Sequence, residues 1–153
     1  MPQFRLAVAT RCFRQPLLTS FQWAAELGVK GVQLDLSSEV LSSELSESGR
    51  RQLLHRVSEM GLTISGAACS LNLPLTEERE LDHRVTSLRD AMTFAYSLRA
   101  TTLCCRVGRI PEDHTSKGRQ LLVEVLNDLA RHGNHVGTVL CITPTDDSAE
   151  VLA

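Results

Sequence analysis

One unit recurs four times along this chain: the end of a helix, usually a glycine, followed by a short apolar strand. It reads Ala-Ala-Glu-Leu-Gly-Val-Lys-Gly-Val-Gln-Leu-Asp-Leu over 24–36 and Val-Ser-Glu-Met-Gly-Leu-Thr-Ile-Ser-Gly-Ala-Ala-Cys over 57–69. It returns as Ser-Leu-Arg-Ala-Thr-Thr-Leu-Cys-Cys-Arg-Val over 97–107 and as His-Gly-Asn-His-Val-Gly-Thr-Val-Leu-Cys-Ile-Thr over 132–143. With an opening strand over 4–9, this gives five strands and four helices in strict alternation. Such alternation implies parallel strands, because each chain reversal is carried by a helical crossover.

The spacing predicts strands over about 4–9, 31–36, 62–68, 102–107 and 137–142. The first helix runs to about Leu27, with Thr19 or Ser20 as its cap. Phe21, Ala24, Ala25 and Leu27 form its apolar stripe, Trp23 can pair with Leu27 four residues on, and Gly28 supplies the left-handed stop. The second helix covers about 47–60, with Leu53, Leu54, Val57 and Met60 on one face. The third covers about 81–98 and the fourth about 117–131, where Gly133 and Asn134 read as stop residues. The serine- and glutamate-rich stretch 37–48 reads as a solvated loop that could carry a short turn of helix, and Asp147 with Glu150 three residues later resembles the start of a capped helix.

Two architectures satisfy this alternation: an open doubly wound sheet or a closed (βα)8 barrel. The first strand-to-helix turn, Thr-Arg-Cys-Phe-Arg-Gln-Pro over 10–16, has no glycine, whereas a nucleotide-binding open sheet normally carries its glycine fingerprint there. A full barrel needs about 250 residues, so five strands make roughly five-eighths of one. The expected fold is therefore α/β of the (βα)8 TIM-barrel type, partial and single-domain over 1–153, stopping as a fifth helix would begin.

Composition narrows the function classes. The net charge is −2 with both signs interspersed, and no basic block suggests a nucleic-acid footprint. The five cysteines are odd in number, form no Cys-x-x-Cys, and mostly fall in or beside apolar strands. No stretch approaches the ~20 apolar residues of a membrane span. The N-terminus, broken by Arg5 and Arg11, lacks a signal-peptide run. The expectation is a cytoplasmic protein with no nucleic-acid or membrane partner.

The stretch 24–36 resembles the A-x-x-x-G-x-x-G-V-E-L signature of the sugar phosphate isomerase/epimerase superfamily, the xylose-isomerase-like TIM barrels. The third repeat is similar to a second stretch of that family, with Arg99 where glycine is usual, and Val-Leu-Cys-Ile-Thr-Pro over 139–144 is similar to its fifth-strand segment. The resemblance covers the chain and implies metal-assisted isomerisation or epimerisation of a sugar or sugar-derived acid. In that chemistry a base removes a proton alpha to a carbonyl while a divalent metal (Mn, Mg, Zn or Co) stabilises the enediolate. The usual metal ligands follow strands five to eight. Thr143 stands at the position of the first, a glutamate, so this chain alone supports no metal.

In a barrel, residues just after each strand face the catalytic mouth. That places Arg11, Asp35, Glu39, Ser70, Asn72, Arg106, Arg109, Thr143, Thr145 and Asp146 at the mouth, and His132 and His135 at the opposite end. The expected catalytic residues are Asp35 and His114. Asp35 could accept a sugar hydroxyl, steer a base, or simply pair with Arg11 or Arg106. His114 is either an acid/base or a solvated loop histidine. The expected substrate contacts are Arg11, Asn72, Arg106, Arg109 and Thr143. Arg106 and Arg109, bracketing Gly108, suit a phosphate or carboxylate, or else pair with Glu112 or Asp113. His132 and His135 read as helix-end residues flanking a loop rather than metal ligands.

The expected partner is a small sugar or sugar-derived substrate, and the expected state is catalytic silence of the isolated chain. The alternatives are a non-catalytic ligand-binding or interaction module with a decayed metal site, and an apurinic-site endonuclease relative. Open sheet edges also suggest homo-oligomerisation.

Overall fold

The computed structural model describes residues 5–145, 147 and 148. Five strands alternate with four helices: β1 (Ala7–Ala9), α1 (Leu17–Glu26), β2 (Gly31–Asp35), α2 (Glu47–Glu59), β3 (Thr63–Cys69), α3 (Leu81–Ser97), β4 (Thr102–Cys105), α4 (Lys117–Val136) and β5 (Val139–Ile142). A 3₁₀ turn, Thr10–Phe13, follows β1. All pairings are parallel, and the sheet order is β1-β2-β3-β4-β5. That order separates the two candidate architectures. A doubly wound sheet reverses its strand order at a switch point, whereas a barrel adds every strand to the same edge.

The two faces of the sheet carry different chemistry. One ladder row, Leu34–Ala67–Leu103–Leu140, lies against the helices, and its first three members are fully buried. Burying a leucine in this way contributes about 1.5–3 kcal/mol. Phe21 from α1, Val57 from α2, Leu88 and Met92 from α3, and Leu122 and Leu129 from α4 complete the core. The next row, Asp35–Ala68–Cys104–Cys141, points the other way, because successive side chains alternate across a strand. A β-bulge between Val32 and Gln33 shifts the β2–β3 register.

Several elements differ from the sequence expectation. Phe4, the expected first residue of β1, lies outside the described residues. Helix α1 starts at Leu17 behind Pro16, and no side chain caps it. Proline begins a helix without loss because its missing N–H has no partner there. Ser20, expected as a cap, sits inside the helix, where its hydroxyl donates to the Gln15 carbonyl at 3.2 Å. Leu27 is 66% exposed rather than part of the stripe, and Trp23 packs edge-on against Phe13 at 5.9 Å. The 37–48 segment is not wholly solvated, since Val40 is buried in the core.

Helix α4 runs past its expected end to Val136 and stops at Gly137, whose φ is 88°. Gly133 does not stop the helix. A Cβ there would lie 2.4 Å from the Thr138 carbonyl oxygen and 2.8 Å from Met92 Cε, so the residue is small for packing. His132 and His135 therefore sit on the helix and do not flank a loop. His132 Nε2 is 3.1 Å from the Arg89 carbonyl oxygen and 3.2 Å from Thr93 Oγ1. His135 occupies the last turn, where a positive charge favours the helix dipole.

Candidate functional site

Every strand's C-terminal end opens to one side of the sheet, and the loops there build a cavity of about 370 Å³. Its lining comes from all five strands or the loops that follow them. Arg11 belongs to the turn after β1, and Gln33 lies on β2. Ala68 and Cys69 end β3, with Ser70 and Leu71 following. Cys104 and Cys105 end β4 with Arg106 after them, and Thr143 follows β5.

Local hydrogen bonds fix these side chains. Thr10 is fully buried, and its hydroxyl is shared between the Gln33 carbonyl at 3.0 Å and the Glu39 carboxylate. Glu39 also accepts the Asp35 N–H at 3.0 Å, so one carboxylate ties the end of β1 to the end of β2. Asp35 is only 6% exposed. Its Oδ1 accepts the Ser37 N–H at 2.8 Å, and its Oδ2 lies 3.6 Å from Arg11 Nη1. Arg11 remains 56% exposed beyond that contact. The Ser37 hydroxyl accepts the Ser70 N–H at 2.8 Å, linking the β2 and β3 loops. The Thr143 N–H donates to the Cys105 carbonyl at 2.9 Å, continuing the β4–β5 ladder to the mouth.

A second guanidinium organises the mouth from beneath. Arg84 on α3 is 6% exposed and donates to the Pro74 carbonyl at 2.6 Å, the Arg79 carbonyl at 2.8 Å and the Glu77 carbonyl. The loop it gathers is held to the β4 loop by the Leu75 N–H, which donates to the Val107 carbonyl at 2.8 Å. Gly108 lies against that loop with φ of 96°, and a Cβ there would meet Pro74 Cβ at 2.4 Å. Sequence reasoning missed Arg84 and gave Glu39 no role. Their partners are loop carbonyls and a residue 29 positions away, which leave no local pattern.

The thiols flanking the cavity are shifted in opposite directions: Cys69 and Cys104 upward, and Cys105 downward by the hydrogen bond it accepts from Cys69. Cys69 and Cys105 are register partners; the hydrogen bond that Cys69 donates to Cys105, together with burial, pushes the Cys69 thiol far up. Burial, with the neighbouring Cys141, also raises Cys104. Cys69 and Cys104 therefore act as packing and weak hydrogen-bonding surface rather than as nucleophiles.

Of the sequence-derived candidates, Arg11, Arg106 and Thr143 line the cavity together, and Asp35 touches it through Arg11. Asn72, Arg109 and His114 do not line it. Arg109 pairs with Glu112 at 3.2 Å. His114 is exposed beside a turn in which Asp113 accepts the Thr115 hydroxyl at 2.7 Å and its N–H at 2.8 Å. Thr145 lies in the loop bound by Asp147, and Asp146 and Glu150 fall outside the described residues.

The donor chemistry does not fit a hard divalent cation. Such ions take several oxygen ligands, mostly carboxylates. The lining instead carries two guanidinium groups, an amide, hydroxyls and thiols, and the adjoining Asp35 is already engaged. Among the described residues no group of three or more His, Cys, Asp or Glu side chains is placed to hold an ion.

A family model described as xylose isomerase-like TIM barrel matches residues 21–150. The chain belongs to the xylose isomerase-like TIM-barrel family. Its backbone superposes on a xylose isomerase domain protein from Planctomyces limnophilus with a TM-score of 0.79 at 15% identity, covering 99% of this chain and 58% of that one. A D-psicose 3-epimerase solved in the presence of D-fructose gives 0.72 at 14% identity, over 91% of this chain and 52% of that one. A xylose isomerase-like TIM-barrel protein from Mycobacterium smegmatis, solved in complex with magnesium, gives 0.66 at 15% identity, over 90% and 54%. The chain thus spans a little over half the length of these members of the fold. No curated protein sequence matches it.

Proposed function

We infer that this chain is a protein of the sugar isomerase/epimerase type whose mouth cavity binds a small sugar or sugar-derived molecule without converting it. The observation that carries this reading is the lining of that cavity. Gln33, Ser70 and Thr143 offer hydrogen-bonding groups to hydroxyls, and two arginines reach the same space. Isomerisation alpha to a carbonyl also needs a base and a stabiliser for the developing oxyanion. No residue of this cavity supplies the pair. The adjoining acids are engaged, Asp35 by Ser37 and Arg11, and Glu39 by Thr10 and the Asp35 N–H. In this reading Asp35 is a positioning residue that aims Arg11, and His114 stays in solvent. Thr143, a hydroxyl where the family resemblance expects a glutamate, favours binding over turnover.

The test uses the purified 153-residue chain with D-fructose and D-psicose, with and without Mg²⁺ or Mn²⁺, followed by NMR. The expected result is a shift of the Gln33 and Thr143 amide signals with no product. Metal-dependent epimerisation by this chain overturns the silent half of the reading, and the absence of any binding overturns the other half.

A further inference from the structure

Two guanidinium groups reach the mouth cavity from loops three strands apart. Arg11 follows β1 and Arg106 follows β4. They differ from the third arginine at this end. Arg109 is matched by Glu112 at 3.2 Å and lies close enough to Asp147 to stabilise its carboxylate. Arg106 makes no ion pair or side-chain hydrogen bond with any described residue. Arg11 has one nitrogen 3.6 Å from Asp35, which leaves most of its five-donor fork unused. No carboxylate lines the cavity itself. Two carboxylates adjoin the cavity at the β1–β2 side, Asp35 at 3.6 Å from Arg11 and Glu39 bound to Thr10 and to the Asp35 N–H, and neither is paired with Arg106.

The geometry points to an anionic group on the ligand, a carboxylate or a phosphate, bound between Arg11 and Arg106. This rests on the small-molecule binding role inferred above and names the class of molecule. The planar fork of arginine matches both groups through paired N–H···O bonds, which a neutral hydroxyl cannot replace. Gln33 Nε2 lies 3.5 Å from Cys104 Sγ, a weak acceptor, so its amide is free to turn to a sugar hydroxyl. The sequence suggests Arg106 with Arg109 as the anion pair. The fold replaces Arg109 with Arg11, more than ninety positions away in the chain.

Three six-carbon probes test this by calorimetry on the whole chain: D-fructose, D-gluconate and D-fructose 6-phosphate. The anionic probes are expected to bind about ten- to a hundredfold more tightly than fructose, the range of charge-assisted hydrogen bonds. The advantage should shrink with added salt. Tighter binding of both anions supports the shared site, and tighter binding of one names carboxylate or phosphate as the group. Arg106→Gln should abolish most of the advantage, Arg11→Gln and the gentler Arg11→Lys should reduce it, and Arg109→Gln should leave it intact. Equal affinity for all three probes overturns the anion assignment while leaving the sugar-binding role standing. Failure of all three to bind overturns both. Loss of the advantage in Arg109→Gln alone also overturns the assignment.

Discussion

Asp147 does by side chain what a strand would do by backbone. The sequence suggests it as a helix start. In the structure it accepts the Ile110 N–H at 2.8 Å through one oxygen, and the Thr145 N–H and hydroxyl, each at 3.1 Å, through the other. It thereby joins the loop after β5 to the loop after β4. These bonds, the one from Ile110 foremost, hold its pKa below the ordinary 3.8. A depressed carboxylate stabilises the fold above its unfolded pKa, and the contribution disappears as pH falls through the folded value. The Ile110 and Thr145 amide signals are therefore expected to titrate together in NMR, with a shared midpoint below 3.8. Asp147→Asn should abolish that titration, and a midpoint at or above the ordinary value contradicts the clasp. At this scale the sequence shows which residues carry chemistry but not whom they meet. Arg109 and Arg106 look equivalent in the chain, and only the placement of Glu112 and Asp147 separates them.

The repeat fixes the number and type of the elements, and most of their limits lie within a few residues of the expected ones. The large miss is the end of α4. Gly133-Asn134 looks like a stop, and whether a glycine stops a helix or admits a neighbour depends on what packs against it. Here it admits Met92 and the Thr138 carbonyl, while Gly137 makes the left-handed turn. Gly133→Ala sets two effects against each other. Helix propensity favours alanine by about 1 kcal/mol. The 2.4 Å approach to a backbone oxygen cannot be relieved by a rotamer change. Overpacking of this kind costs about 1–3 kcal/mol, so a net loss of stability is expected in urea unfolding. An unchanged or raised midpoint would show that α4 and α3 can separate there. Arg99 is the converse case: it adopts φ of 62° at the helix end where the family repeat usually has glycine.

At the scale of the whole molecule, β1 and β5 each pair with a single strand among the described residues. The β5 side is also apolar: Val139 is 63% exposed and Val123 on α4 is 47% exposed, and both line shallow grooves beside that edge. Unpaired strand edges next to apolar surface recruit further strands. The chain is expected to self-associate as its concentration rises, and Val139→Lys should weaken that association. Light scattering that reports only monomer at the highest attainable concentration would refute it. Among the described residues, no helix is long and apolar enough to cross a membrane. The sequence by itself determined the alternation of elements, the parallel pairing that follows, and the end of the sheet that carries the polar loops, because all three arise from local periodicity. Tertiary structure alone decided the strand order, the removal of Arg109 and His114 from the cavity, and the placing of Arg11 and Arg106 in one cavity lining. Those outcomes depend on contacts between residues tens of positions apart, which local pattern does not encode.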